Sequence, residues 1–221
     1  MIFESELIAG VLIKRYKRFF VDIKVKNKVI TAHCPNTGSM MGLLKKGNKV
    51  WLTKSNDIKR KLKYTLQIIE VNGSKIGVNT HLTNKIFYES LLNGNIINLK
   101  KTDILFREKQ FNKNTRFDFF IKQKNKGIFI EVKNVTLSRF KNIAEFPDAV
   151  TERGLKHINE LLAAKKKGFD VYLAFVIQRE DCKKFKIAAD IDPNYKKLLT
   201  VALKNNLKVI CYDCKFLSKG I

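Results

Sequence analysis

The stretch RFDFFIKQKNKGIFIEVKNVTL, residues 116–137, decides how the second part of this chain folds. Its pattern predicts two apolar β-strands joined by a short polar turn. Asp118 lies near the start of the first strand, and Glu131 and Lys133 lie toward the end of the second. Because successive side chains alternate between the two faces of a strand, we expect Glu131 and Lys133 to project from the same face.

The length of the turn decides whether Asp118 joins them. A loop of two or four residues around positions 124–126 places Asp118 on that face, opposite Glu131 or Lys133, whereas a three-residue loop requires a β-bulge. Two carboxylates in an apolar sheet favour a cation between them, because burying unpaired charge is costly. The pattern therefore predicts Mg²⁺ or Mn²⁺ held by Asp118 and Glu131, with Lys133 beside the metal for attack on a phosphodiester. The alternative is a surface ladder of salt bridges on an edge strand.

The composition of the chain is strongly basic. Its 221 residues include 44 Lys and Arg against 20 Asp and Glu, a net charge of +24, and the hydrophobic content of 45% supports a packed core. Both halves carry the excess, which predicts nucleic acid as the partner. The alternative is compositional drift, because lysine, asparagine and isoleucine are frequent throughout.

The remaining composition bears on location. No apolar run approaches the roughly 20 residues of a membrane span, so we expect no membrane association. The four cysteines are irregularly spaced, which favours reduced thiols over a disulfide framework. We therefore expect a cytoplasmic protein.

The pattern of apolar residues divides the chain near residue 82. Short β-type segments separated by turn residues fill residues 1–82 and predict a small OB-like β-barrel; they are 6–13, 17–25, 29–34, 48–54, 63–71 and 74–79. Residues 83–221 alternate helices and strands and predict an α/β domain with a mixed sheet. Its predicted helices are 83–93, 150–167 and 193–205, and its predicted strands are 103–109, the two of the hairpin, 171–178 and 207–213.

Further polar groups are candidates for binding. Arg153 and His157 share a face of the helix that starts near residue 150, where a phosphate can dock, and Glu152 is a candidate to extend the metal shell. The ordinary alternative is that acids at a helix start only complement its dipole. The candidate nucleic-acid contacts on the barrel are Lys14, Arg15, Lys17, Arg18, Arg60 and Lys61. His33–Cys34 and the pair Cys211 and Cys214 are weak metal candidates, since neither has a second ligand pair at zinc spacing.

Several segments in order resemble the sugar fermentation stimulation protein A family. They are AHCPNTGSM (32–40), SNDIKRKLKYT (55–65), GVNTH (77–81), FIEVKNVTL (129–137), FPDAVTERGLKHINEL (146–161) and IDPNY (191–195). The resemblance implies an OB-type domain fused to a PD-(D/E)xK nuclease-like domain, and a metal-dependent nuclease that acts on DNA, with RNA as a second candidate substrate. An older family label implies instead a DNA-binding regulator of sugar metabolism genes.

Carried onto this chain, the nuclease motif of that family falls on Asp118, Glu131 and Lys133. Phe117 stands where the motif often has proline, which is a common relaxation. A further upstream acid in such nucleases has two candidates here, Glu89 and Glu108, and the sequence does not choose between them. Nor does it settle the oligomeric state, for which a homodimer is one candidate.

Overall fold

The computed structural model describes residues 1–96, 104–124 and 126–221. Its first part is a closed β-barrel with strand order β3-β2-β1-β4-β5, sealed by a parallel bridge between His33 on β3 and Thr65 on β5. The predicted OB-like barrel is therefore confirmed. Its strands are β1 (Ile8–Tyr16), β2 (Phe20–Val25), β3 (Lys28–His33), β4 (Lys49–Lys54) and β5 (Tyr64–Val71), and β6 (Ser74–Gly77) extends β5 as a hairpin.

One predicted boundary in the barrel is wrong. The first strand continues to Tyr16, and the second starts at Phe20 rather than at residue 17. Lys17 and Arg18 form the turn between them, with φ of 46° and 60°. This left-handed conformation is unusual for residues other than Gly, Asn and Asp. The basic and aromatic residues of this segment therefore do not predict a turn.

The second part begins after a 3₁₀ helix at Thr80–Leu82. In chain order it contains α1 (Thr83–Leu92), β7 (Ile104–Asn112), β8 (Thr115–Lys122), β9 (Gly127–Val135), β10 (Leu137–Phe140), β11 (Ile143–Phe146), α2 (Glu152–Lys166), β12 (Asp170–Ile177), β13 (Lys184–Ile187), α3 (Pro193–Lys204) and β14 (Lys208–Asp213). Residue 103, where the strand before the hairpin was predicted to begin, lies outside the described residues. Along these described parts, no helix has both the length and the apolar character needed to cross a lipid bilayer.

The main sheet has the order β14-β12-β9-β8-β7 and is mixed, as predicted. Strands β14, β12 and β9 run parallel to one another, β8 runs antiparallel to β9, and β7 runs antiparallel to β8. On β12, Leu173 and Phe175 pack into the cluster that contains α2 and α3, whereas Tyr172 and Ala174 pack into the cluster that contains α1. Both faces of β12 are covered, which explains its continuous apolar sequence.

A smaller sheet of β10, β11 and β13 was not predicted. Each strand has four residues and includes polar side chains, so hydrophobic periodicity does not mark it. Its Glu145 is fully buried and accepts hydrogen bonds from Arg139, with Lys186 at 3.3 Å. Burial alone would raise the pKa of Glu145, but these cationic partners outweigh burial and lower it.

The barrel and the α/β domain meet at Gln178, just after β12. Its carbonyl accepts a hydrogen bond from the Gly77 amide at 2.9 Å. Its fully buried side chain donates to Asn134 at 2.6 Å and to Thr83 at 3.2 Å. A second contact joins the two parts, because Ser39 of the barrel donates hydrogen bonds to Asp148. At the start of α2, the Thr151 side chain caps the helix by accepting from the Gly154 amide.

Gly77 leaves no space for a side chain at this junction. A Cβ atom there would lie 2.3 Å from Gln178 Oε1. We expect Gly77→Ala to lower the free energy of unfolding by about 2 kcal/mol, because the Gln178 amide must leave its hydrogen-bonded position. In a Gln178→Ala background most of this penalty should vanish, which chemical denaturation of the four proteins of a double-mutant cycle would measure. Equal penalties in both backgrounds would contradict the assigned clash.

Candidate functional site

The β8–β9 hairpin has the four-residue loop that was one of the two predicted lengths. Its ladder runs from Lys122↔Gly127 to Phe119↔Ile130; residue 125 of the loop lies outside the described part of the chain. Extending this register by one pair sets Asp118 opposite Glu131. The backbone ladder stops there, and Asp118 Oδ2 accepts a hydrogen bond from the Val132 amide at 2.7 Å instead.

The regular alternation of side chains between the two faces of β8 is interrupted at Asp118. A regular strand places residues two apart on one face, yet Phe117 packs into the cluster with α2 and Phe119 packs into the cluster with α1. On the neighbouring strand, Glu108 has a φ of 49° at the corresponding level. The local distortion ends the ladder and lets the Asp118 side chain turn toward β9.

The carboxyl of Asp118 is held in a largely buried position. Asn84 at the start of α1 donates to its Oδ1 at 2.7 Å, and the Val132 amide holds its Oδ2. Burial, and then the negative charge of Glu131, raise the pKa of Asp118 to about 6, although these hydrogen bonds and Lys133 oppose the rise. Two carboxylates therefore compete for one poorly solvated space.

Glu131 is 3% exposed and is held through one oxygen. Lys133 Nζ donates to its Oε1 at 2.9 Å, and His157 Nδ1 contacts the same oxygen. Burial alone would raise the pKa of Glu131, but the His157 hydrogen bond and the Lys133 charge lower it. Lys133 Nζ also lies 2.9 Å from His157 Nδ1, and His157 Nε2 accepts from Arg153 Nε at 3.4 Å.

These side chains line a cleft of about 500 Å³ between β8, β9, α1 and α2. Of the residues predicted for the site, it contains Asp118, Glu131, Lys133, Arg153 and His157. Glu152 is exposed and outside this lining. Neighbouring residues on a helix point about 100° apart, so Glu152 cannot face the cleft together with Arg153.

The structure separates the two candidates for the upstream acid. Glu108 lines the cleft and has Arg116 at 3.5 Å. Glu89 instead pairs with the amino group of Met1 at 2.8 Å and lines a different pocket. Of these two acids, Glu108 is therefore the one that lines the cleft with Asp118.

The donor set of the cleft suits a hard divalent cation. Asp118 and Glu131 supply carboxylate oxygens, and burial, followed by the charge of Glu131, raises the pKa of Asp118 to about 6. Within residues 1–96, 104–124 and 126–221, no three His, Cys, Asp or Glu side chains are arranged to hold a metal ion. A metal here would therefore rest on the two carboxylates, and neither His33–Cys34 nor the pair Cys211 and Cys214 forms an alternative site.

The predicted basic contacts on the barrel have different surroundings. Arg15 donates to the backbone oxygens of Arg18, Asn36 and Gly38, so it fastens the loop after β3. Lys14, Lys17, Arg18 and Lys61 are exposed. Arg60 lines a second cleft on the barrel.

Sequence reasoning missed the residues that hold the site together. Asn84 positions Asp118 across 34 positions of chain, and Asn134 and Thr83 line the cleft while Gln178 holds both from behind. No local spacing connects these residues, because the fold alone brings α1 against β9. The one available signal was that Asn84 and Thr83 closely follow the resembling segment GVNTH.

An OB barrel followed by an α/β domain with a mixed sheet defines a class of two-part chains, and in this chain the β8–β9 hairpin carries Asp118, Glu131 and Lys133. Residues 13–78 match the family model described as "SfsA N-terminal OB domain", and residues 81–220 match "Sugar fermentation stimulation protein RE domain". The chain belongs to the sugar fermentation stimulation protein family.

Relatives match over nearly their full lengths. A sugar fermentation stimulation protein homolog of Pelagibacter ubique is 51% identical over 221 residues, which cover 100% of this chain and 95% of the relative. The homolog of Sinorhizobium medicae is 38% identical, with 97% and 91% covered. The structure titled "The structure of Pyrococcus Furiosus SfsA in complex with Ca2+" shares the fold, with a TM-score of 0.88, 24% identity, and 100% and 94% of the two chains covered.

The raised pKa of Asp118 has a consequence for stability. Between its ordinary value of 3.8 and about 6, the folded state keeps a proton that the unfolded state releases, so stability falls as pH rises through this window. Asp118→Asn carries no such charge. In EDTA, we therefore compare the melting temperatures of Asp118→Asn and the unsubstituted protein. We expect the difference, variant minus unsubstituted protein, to increase from pH 4 to pH 7. A difference that is flat across this range would contradict the burial and repulsion assigned to Asp118.

Proposed function

We propose that this protein is a divalent-metal-dependent nuclease that hydrolyses phosphodiester bonds of DNA, with RNA as a second candidate substrate. The observation that carries the proposal is the pair of poorly solvated carboxylates, Asp118 and Glu131, beside Lys133 in a chain of net charge +24. Acidic groups repel a polyanion, and a bound cation inverts that effect. A surface used only for binding has no need of this arrangement.

The proposed roles follow from charge and contact. Asp118 and Glu131 would hold Mg²⁺ or Mn²⁺, which supplies Lewis-acid activation of the phosphate and lowers the pKa of bound water. Asn84 and the Val132 amide keep Asp118 in place, and His157 orients Glu131. Lys133 lies where it can orient the attacking water or stabilise charge that develops on the phosphate.

Arg153 and the helix start complete the proposed site. Arg153 lines the cleft in the first turn of α2, where its guanidinium can pair with a phosphate oxygen. The related Pyrococcus structure is a complex with Ca²⁺, an ion that prefers oxygen ligands as Mg²⁺ does. That complex supports a divalent-cation site in the family, while Mg²⁺ or Mn²⁺ remains our proposal.

The second candidate function is a non-catalytic DNA-binding regulator. The basic charge of the chain favours a regulator, as does the name of the family, which refers to sugar fermentation and to no chemistry. It leaves the paired carboxylates unexplained. The predictions of nucleic acid as partner, a homodimer and a cytoplasmic location accompany the nuclease proposal and stay predictions.

Cleavage of labelled single- and double-stranded DNA and RNA, with Mg²⁺, Mn²⁺ or EDTA, tests the proposal. We expect Asp118→Asn and Glu131→Gln each to lower the metal-dependent rate at least about 100-fold, because each removes a charged ligand. Both should bind the substrate at least as tightly as the unsubstituted protein in EDTA, because a repelling charge has gone.

Glu6→Gln is the matched control, since it removes one exposed carboxylate of the barrel that is outside the cleft. It should cleave at the unsubstituted rate. Tight sequence-selective binding with no cleavage under any metal would support the regulator instead. Loss of cleavage and binding together in Asp118→Asn would contradict the division of roles.

A further inference from the structure

A second cleft, of about 590 Å³, lies on the barrel side of the 3₁₀ helix. His81 of that helix lines both this barrel cleft and the cleft that contains Asp118. The two spaces are therefore neighbours along one surface. Of the nucleic-acid contacts predicted on the barrel, Arg60 is the one that lines this cleft.

The closure of the barrel builds one wall of this cleft. The bridge between β3 and β5 pairs His33 with Thr65, and Arg60 donates from Nη2 to Thr65 Oγ1 at 2.7 Å. The loop that carries Arg60 is braced as well, because Lys63 Nζ donates to the backbone oxygens of Asp57 and Ile58 at 3.0 and 2.8 Å. The Arg60 guanidinium is thus presented from a fixed loop next to His33.

A chain of side-chain hydrogen bonds fixes the opposite wall. Gln67 donates to Thr53 at 2.7 Å and accepts from Asn79 at 2.8 Å, and Asn79 in turn accepts from the His81 amide at 3.0 Å. Gln67 and Asn79 are buried. This chain ties the 3₁₀ helix to strands β4 and β5, so the position of His81 relative to the barrel is set before any ligand binds.

The charges around the barrel cleft are almost all positive or titrate to positive. They belong to His33, Lys54, Arg60, His81 and Lys85. In the part of the lining that the structure describes, Glu4 is the one carboxylate side chain; it is 90% exposed and pairs with Lys85 at 3.3 Å. Burial, followed by the charges of Arg60 and His81, lowers the pKa of His33.

The two clefts together indicate the size of the ligand. Cationic or titratable side chains line the barrel cleft, and this cleft adjoins the cleft of Asp118 at His81, which lines both. This arrangement indicates an anionic ligand longer than one phosphate.

We propose that the barrel cleft binds the internal phosphodiesters of a nucleic-acid strand, with Arg60 and His33 as phosphate contacts, and leads that strand past His81 into the cleft of Asp118. The part of this inference that leads the strand toward Asp118 rests on the proposed nuclease function. Binding in the barrel cleft itself needs neither metal nor cleavage. Arg60 can form paired hydrogen bonds with a phosphate, and a charged His33 can add a third.

Binding of a fluorescent oligonucleotide without terminal phosphates, measured in EDTA, tests the barrel cleft. We expect Arg60→Gln to weaken binding about tenfold, as is typical for losing a hydrogen bond to a charged group. The slope of log Kd against log salt concentration should fall by about one, because one ion contact is lost. His33→Asn, next to Arg60, should weaken binding several-fold; melting temperatures establish that both variants are folded.

Lys204→Gln is the charge-matched control, because it removes one exposed cation on α3, far from the cleft lining. It should leave both affinity and salt slope near those of the unsubstituted protein. If Arg60→Gln and His33→Asn also bind like the control, the proposal is overturned. Cleavage assays are separate, so this outcome differs from failure of the nuclease proposal, in which the unsubstituted protein cuts nothing under any metal.

NMR titration of the His33 ring adds a readout that a structural role would not change. The chain has three histidines, so His33→Asn assigns the resonance. An unphosphorylated oligonucleotide should raise the pKa of His33, because a neighbouring phosphate stabilises the charged ring. If only a 5′-phosphorylated oligonucleotide or inorganic phosphate raises it, the site recognises a terminal or free phosphate, and the strand-path proposal is overturned.

Discussion

The repulsion between Asp118 and Glu131 is the constraint around which the α/β domain is arranged. Neither carboxylate is well solvated, and each has its own set of partners. Asp118 depends on an amide of α1 and a backbone N–H of β9, whereas Glu131 depends on Lys133 and on His157 of α2. Two helices and two strands must therefore pack together before the two charges can lie side by side, and the site exists only in the complete fold.

The junction with the barrel also supports the elements that position the two carboxylates. The Gln178 side chain bonds Asn134 at the end of β9 and Thr83 at the start of α1, and its carbonyl holds the last residue of β6. One buried residue thus links the barrel, the helix that positions Asp118 and the strand that carries Lys133. The cleft on the barrel and the cleft of Asp118 adjoin at His81, which lines both.

Much of this architecture could be predicted because its causes are local. The even hairpin loop fixed which face Asp118 shares with Glu131, and the alternating apolar segments indicated the barrel and the mixed sheet. What escaped prediction depends on distant partners: Asn84 meets Asp118 only in the fold, and the small sheet is held by a buried ion pair of Glu145 that apolar spacing does not mark. The interrupted alternation of β8 between Phe117 and Phe119 also has no local signal, because both residues are ordinary strand formers.

The barrel closes through the bridge between His33 and Thr65, in contrast to the multi-residue ladders that join its other neighbouring strands. A seam with so few backbone bonds is where breathing of the barrel would begin, and amide hydrogens there would exchange with solvent sooner than those of β1 or β2. Arg60 already reaches across to Thr65 at this seam. A polyanion bound to Arg60 and His33 would contact both sides of this closure. Its binding would therefore stabilise the closed barrel against opening between β3 and β5.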